Sequence, residues 1–512
     1  MSGQSSAGPT LPLRYSEPAG RWVLAATVLG SSLAFLDSTA VNIALPAIDG
    51  DLSAGARGLT WTVNAYALAL AAFVLIGGSL GDRFGRRRVF LVGVVWFGVA
   101  SLACALSTGI AMLITFRAAQ GLGAALLTPG ALALLHASFR REDRSRAIGA
   151  WSGLGGIGAA AGPFLGGWLV DLGSWRWIFL INVPLVVAVL VITARHVPES
   201  RDESAAGRGL DLGGAFLAAV ALGLVTYALS TWSEHGPAAR WMLGAGLVAL
   251  LAFVIRERTA AEPMMPLEVL AAARFGPTNA VTFLVYAGLG GVLFWLVVTL
   301  QVVSGWTALS AGLSLLPITV VMLLFSPQAG ILGDRLGPRV PMTAGPLVGA
   351  LGVLLLTRIG PDATFLDDVL LPVTLLAAGL TMTVTPLTTT ALGAVDEQQA
   401  GLAGGINNAV ARTGGLVLVA VLPAVTGLTE TGFSDPVALE AAFGTAMMVC
   451  AVLLALGGVL AAALLGARSA GRRARRVLPP QADRFPHHCA VDATPLAVAD
   501  RSSPEHHDKR LD

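Results

Sequence analysis

Apolar residues in this chain come in long runs, not in alternation with polar ones. A bilayer core about 30 Å thick needs about 20 apolar residues per helix. By that measure, helical spans are expected near 22–46, 59–80, 88–107, 110–136, 147–170, 177–195, 213–232 and 241–258. Six more are expected near 276–302, 311–333, 340–358, 368–390, 404–427 and 443–467. The runs lack the two-residue period of a membrane barrel, and an open sheet cannot cross lipid. The expected fold class is therefore an all-α polytopic membrane protein with fourteen transmembrane helices. Residues 1–21 are polar, with Pro9, Pro12 and Pro18, and read as a cytoplasmic tail. The first run is too long for the apolar core of a signal peptide, and no small-residue cleavage site closes it.

Composition agrees with this pattern. Of 512 residues, 55% are apolar and only 12% are charged, about half the charged share of a soluble domain. The three cysteines, Cys104, Cys450 and Cys489, fit neither a disulfide framework nor a zinc site. His487, His488 and Cys489 lie in a tail with no fixed geometry, so no metal is expected there. Among 33 basic residues the one lysine is Lys509, which follows Asp508. A phosphate-binding loop needs Gly-Lys before Ser or Thr, so no ATP site is expected. The arginine bias, with abundant Ala and Gly, indicates a GC-rich bacterial genome.

Basic residues also orient the chain. With both termini inside, 27 fall in cytoplasmic segments, four outside (Arg57, Arg176, Arg240, Arg358) and two within spans, Arg117 and Arg412. This is a strong positive-inside bias. The location it implies is the bacterial cytoplasmic (inner) membrane. The loop 395–403 is the exception, carrying only Asp396 and Glu397.

A repeat divides the chain. Gly81-Asp82-Arg83-Phe84-Gly85 and Gly333-Asp334-Arg335-Leu336-Gly337 are offset by 252 residues, and the same offset aligns Gly162 with Gly414. Two six-helix bundles are expected, at 22–200 and 259–467, around an inserted pair of helices in 201–258. Residues 468–512 open with an arginine cluster that favours anionic lipid and read as a disordered cytoplasmic tail. Repeats of this kind underlie many secondary transporters, with the binding site between the halves.

Asp37 is the one carboxylate placed well inside a span, in Leu36-Asp37-Ser38-Thr39-Ala40-Val41-Asn42-Ile43-Ala44-Leu45-Pro46. An intramembrane acid is a functional hypothesis by default, because it can hold a proton in one conformation and release it in another. Arg117, in Leu113-Ile114-Thr115-Phe116-Arg117-Ala118-Ala119-Gln120-Gly121-Leu122-Gly123, needs a partner or a wet cavity. Asp37 and Arg117 are the expected proton-coupling residues. Between the second and third spans lie Gly78, Gly81, Asp82, Arg83, Gly85 and Arg86. The glycines permit a tight turn. Asp82 can cap helix ends and pair with arginine across the cytoplasmic seam, a latch that gates access when broken and remade. In the second copy Pro338 replaces a basic residue. Gly158, Gly162 and Gly166 sit four apart on one helix face, with Pro163 and Gly167 beside them. They allow close helix approach, and Pro163 bends the helix. Gly153-Leu154-Gly155-Gly156-Ile157-Gly158 spells a dinucleotide fingerprint, but no strand precedes it.

These motifs, in this order, resemble the major facilitator superfamily over about residues 22–467, in its fourteen-helix drug:proton antiporter branch (the EmrB/QacA type). Trp175-Arg176-Trp177-Ile178-Phe179-Leu180-Ile181-Asn182-Val183-Pro184, Pro198-Glu199-Ser200, and Asn407, Asn408 and Arg412 before Gly414-Gly415 look like the same branch; Thr413 stands where members often have Gln. The resemblance implies a proton-coupled antiporter that exports hydrophobic or amphipathic drugs, antibiotics or related metabolites by alternating access. The glycine motif of the fifth span argues for export over the alternative, a proton-coupled importer or symporter. Expected substrate-binding residues are Phe35, Asn42, Trp61, Asn64, Tyr66, Gln120, Tyr286, Phe294, Trp295, Gln301, Asn407 and Arg412. With one acid evident, neutral or singly charged amphiphiles are expected over dications. No motif of an enzyme with a stated mechanism is present. No cofactor, metal or nucleic acid is expected, and a fold of this kind can work as a monomer.

Overall fold

The computed structural model describes residues 13–201, 211–232, 236–263, 265, 267–272, 274–395, 400–428, 433 and 435–465. The expected tail at 468–512 and the acidic pair Asp396 and Glu397 lie outside these residues. A bilayer supplies no hydrogen bonds, so apolar runs of this length satisfy their backbone groups internally as helices. The helices are α1 (Pro18–Leu52), α2 (Gly55–Phe84), α3 (Arg86–Ala105), α4 (Ile110–Ser138), α5 (Arg141–Asp171), α6 (Trp177–Leu180), α7 (Asn182–His196), α8 (Leu212–Ser230) and α9 (Gly236–Thr259). After these come α10 (Leu267–Ala271), α11 (Phe275–Val302), α12 (Ala308–Leu313), α13 (Leu316–Leu336), α14 (Arg339–Leu356), α15 (Leu370–Leu392), α16 (Ala400–Thr426) and α17 (Pro436–Leu464). A π-helical turn, Phe365–Val369, leads into α15.

Thirteen helical stretches among the described residues are long and apolar enough to cross a membrane. The fifth expected span is not among them. It is present as the 31-residue α5, several of whose side chains lie outside the described residues. Some expected ends shift. α1 continues through Pro46 to Leu52. The tenth span is broken into α12 and α13, and the sixth into α6 and α7. The segment before α1 is pinned, since the Leu13 amide donates to the Ser138 carbonyl at 2.8 Å and the Tyr15 amide to Asp143 at 3.0 Å.

One packing scheme occurs twice. α1 packs on α5, and α4 on both α2 and α3; in the same way α11 packs on α16, and α15 on both α13 and α14. The aligned glycines explain the first pairing in each set. A Cβ on Gly162 would strike Thr39 of α1, and one on Gly414 would come within 2.6 Å of the Phe283 carbonyl of α11. α8 and α9 pack on each other, and α8 touches α2 and α16. At the end carrying Asp51 and Asp171 the two sets meet closely. A Cβ on Gly167 would lie 2.5 Å from Leu309 Cα, and one on Gly312 would strike the Pro163 carbonyl. The Leu309 amide donates to Asp171 at 3.1 Å, and Gln301 donates to the Ile43 carbonyl at 3.0 Å.

Candidate functional site

Three helices converge on one carboxylate. Asp37 is 0% exposed and Arg117 is 1% exposed. Arg117 Nη1 donates to Asp37 Oδ2 at 2.5 Å, Gln120 Nε2 to Oδ1 at 2.8 Å, and Asn182 Nδ2 to Oδ1 at 3.2 Å. The donors come from α4 and α7, and the acceptor from α1. Arg117 and Gln120 are three apart, which puts both on one face of α4. Arg117 Nη1 also donates to Gln120 Oε1 at 2.6 Å, and its Nε to the Thr62 carbonyl of α2 at 3.0 Å. Its guanidinium lies 4.4 Å from the Tyr66 ring centroid, within cation–π range.

A second row supports the first. Asn182 Nδ2 donates to Ser101 Oγ at 3.0 Å, and Ser101 Oγ donates to the Phe179 carbonyl at 2.9 Å. The Cys104 thiol approaches Gln120 Oε1 at 3.8 Å. All three side chains facing Asp37 are donors, matching the acceptor oxygens of a carboxylate. Adding a proton would set an O–H against donors, and the contacts between α1, α4 and α7 would have to rearrange.

Other expected residues separate into distinct places. Gln120, expected in the substrate wall, is bound to Asp37. The Tyr66 hydroxyl donates to the Ala34 carbonyl at 3.2 Å. Phe294 and Trp295 are buried against Phe433, with ring centroids 5.9 and 5.3 Å away. Gln301 joins α11 to α1 at the tight end, as described above. Asn407 turns toward α11, donating to Asn279 at 3.1 Å and Thr282 at 2.8 Å. Trp61 faces Tyr227 of α8 at 6.0 Å. Asn64 is fully buried with neither amide atom hydrogen-bonded, and the buried Oδ1 of Asn42 also has no partner. Phe35, Tyr286 and Arg412 are half-buried. The sequence reading gave no role to Ser101, Cys104 or Asn182. A polar residue repeated inside apolar runs was the available signal, but nothing in the sequence directed it to Asp37.

The turn after α2 is built as its glycines require. Gly85 has φ of +108°, and a Cβ there would lie 2.8 Å from the Glu199 carboxylate. Glu199 accepts from the amides of Arg87 at 3.0 Å and Arg88 at 3.2 Å, while the Arg86 amide donates to the Ser200 carbonyl at 2.8 Å. Glu199 and Ser200 thus satisfy the start of α3, where an anion is favoured. Asp82 pairs with Arg86 at 2.8 Å, four residues on along the same motif. The cross-seam partner expected for Asp82 is not the one seen in this conformation. Gly78 faces Pro129 with room to spare, and Gly81 supplies the carbonyl that accepts from the Gly85 amide. Arg83 lies over Phe84. The Asp334 side chain of the second copy lies outside the described residues. On α5, a Cβ on Gly158 would strike Ser32 and one on Gly166 would lie 3.0 Å from Ala40, so these two continue the Gly162 face along α1. Among the described residues no cluster of His, Cys, Asp and Glu is placed to hold a metal ion.

A twice-repeated helical packing scheme around a sealed, ion-paired acid defines a polytopic membrane protein of the secondary-transporter class. The sequence profile of the Major Facilitator Superfamily matches residues 27–420, and the chain belongs to that family. It is 38% identical to the multidrug resistance protein Stp of Mycobacterium tuberculosis, over 81% of this chain and 77% of that one. It is 37% identical to the cephamycin export protein CmcT of Amycolatopsis lactamdurans, over 85% and 91%. Its fold is similar to that of a bacterial homologue of the human lysosomal transporter Spinster in an inward-facing, unoccupied conformation, with TM-score 0.62, 16% identity, and 88% and 97% of the two chains covered.

Proposed function

We propose that the protein is a proton-coupled antiporter that exports amphipathic drugs, antibiotics or related metabolites. The observation that carries this reading is the sealed network of Asp37, Arg117, Gln120 and Asn182. An acid buried at the junction of three helices is the device that proton coupling needs. The names of the relatives support export and amphipathic organic substrates.

In the proposed cycle the substrate acts on Asp37 through helix movement, because the carboxylate is closed to contact in this conformation. Protonation of Asp37 releases the α1 end of the Arg117 pair. Substrate binding restores the pair and expels the proton. The glycine face of α5 on α1, with Pro163 and Gly167 against α12, is the hinge surface. The turn at Gly78, Gly81, Asp82, Arg83, Gly85 and Arg86 is the gate at the other end.

The proposed arrangement is fourteen spans with α5 as the fifth. Two six-helix bundles, at 22–200 and 259–467, flank the linker pair at 201–258. Both termini are cytoplasmic in the bacterial inner membrane, so the tight end faces outward. The protein works as a monomer in lipid without ATP.

The test is proton movement in inside-out vesicles with an acidified lumen, challenged with a panel of amphipathic drugs and dyes. Efflux of protons on adding a compound, lost at least about 100-fold in Asp37→Asn, is expected, because one group carries the coupling. Unchanged efflux in the variant would move the coupling elsewhere.

A further inference from the structure

Arg412 is the second arginine inside a span, and its surroundings differ from those of Arg117. It is the thirteenth of the 27 residues of α16. About 18 Å of helix separates it from the nearer end, too far for its side chain to reach a headgroup region. Its Nε is buried without an acceptor. Among the described residues it makes no hydrogen bond and no ion pair. Its helix, α16, packs on α11 of the second set and on α2 of the first. It therefore sits between the two helix sets, at the position where secondary transporters of repeated design hold their cargo.

An intramembrane guanidinium with no counter-ion is unfavourable and calls for a compensating partner. The protein's own central acid cannot serve, because Asp37 already accepts from Arg117, Gln120 and Asn182. A guanidinium presents a planar fork that matches a carboxylate with two parallel hydrogen bonds. Tyr66 of α2 and Tyr286 of α11 lie within electrostatic reach of Arg412, on the two helices that α16 packs against.

We propose that Arg412 is the anchor for an acidic group on the substrate, and that the preferred cargo is an amphiphile bearing a single carboxylate. A lone guanidinium neutralises one negative charge, so a dianion is excluded by the same reasoning as a dication. This inference names the substrate class for the export reading above and rests on it. It also orders the two arginines. Tyr66 lies against Arg117 on one side and within electrostatic reach of Arg412 on the other.

The test is equilibrium binding of matched pairs to the purified full chain in detergent, read by ligand fluorescence. The probes are naphthylacetic acid, anthracenecarboxylic acid and pyrenebutyric acid, each with its neutral carboxamide. At least one acid is expected to bind about tenfold or more tightly than its amide, the scale of one charge-assisted contact. Arg412→Gln should remove that preference, weakening each acid about tenfold more than its amide, and Arg412→Lys should restore part of it. Asp37→Asn should keep the preference, because the anchor lies elsewhere. Equal affinity for every pair, binding of none of the acids, or an equal loss of acid and amide in Arg412→Gln would overturn the proposal. A failure of proton exchange alone is distinguishable: the vesicles would be silent while the preference for acids persisted.

Discussion

The interior arginines of the two helix sets are held in opposite ways. Arg117, in the first set, spends its donors on Asp37, Gln120 and the Thr62 carbonyl, and its face on Tyr66. Arg412, in the second, has a buried Nε with no acceptor. The helix packing repeats between the sets, down to Gly162 on α1 and Gly414 on α11. The charge chemistry does not repeat. On the proposed reading, duplicated packing provides two rocking bodies, and the divergence in charge gives them different tasks: one holds the proton, the other is left open to cargo.

The largest expected effect contrasts the two cations directly. Removing one partner of a buried ion pair is destabilising by about 3–5 kcal/mol. Arg117→Gln should therefore lower thermal stability in detergent markedly. Arg412→Gln removes an uncompensated charge and should leave stability unchanged or raise it by about 1 kcal/mol. Equal losses for the two would erase the distinction.

Packing gives the next effect. Overpacking a close helix contact is destabilising by about 1–3 kcal/mol. Gly162→Ala pushes a methyl into Thr39 and should reduce both stability and transport. Gly415→Ala meets its nearest atom, the Tyr286 carbonyl, at 3.6 Å, so it should be tolerated. Melting curves and dye efflux on the same preparations would show whether the tight face belongs to the glycine motif or to any glycine at the junction.

Asn182→Ala should act more mildly. It removes one of three hydrogen bonds to Asp37, worth about 1–2 kcal/mol, and its signature should be a moved pH profile of transport with substrate affinity retained. A change in affinity with a fixed pH profile would make Asn182 a wall residue. The smallest effect belongs to the gate turn. Glu199→Gln weakens an anion at the start of α3 and should lower stability by less than about 1 kcal/mol.

Much of this could be read from the sequence, for physical reasons. A charge inside an apolar run is conspicuous, so Asp37 and Arg117 stood out as a pair before any distance was known. Gly85 and the 252-residue offset were equally visible, because glycine spacing encodes turns and close contacts. Neutral donors were harder. Gln120 looked like pocket wall and Asn182 like part of a motif, since an amide in a span advertises no partner 83 or 145 residues away. Aromatic residues are ambiguous in the same way: Phe294 and Trp295 have the composition of a binding wall, and in this conformation they pack on Phe433. Helix ends were blurred where proline is tolerated, as at Pro46 within α1, or where a span is broken, as between α12 and α13.

The central claim is that Asp37 is the group that exchanges its proton for substrate. The most direct test is proton release from the purified protein in weakly buffered detergent on adding substrate. The account predicts release of about one proton per protein, the yield of a single titrating carboxylate, and none from Asp37→Asn. The same release from the Asn variant would contradict it.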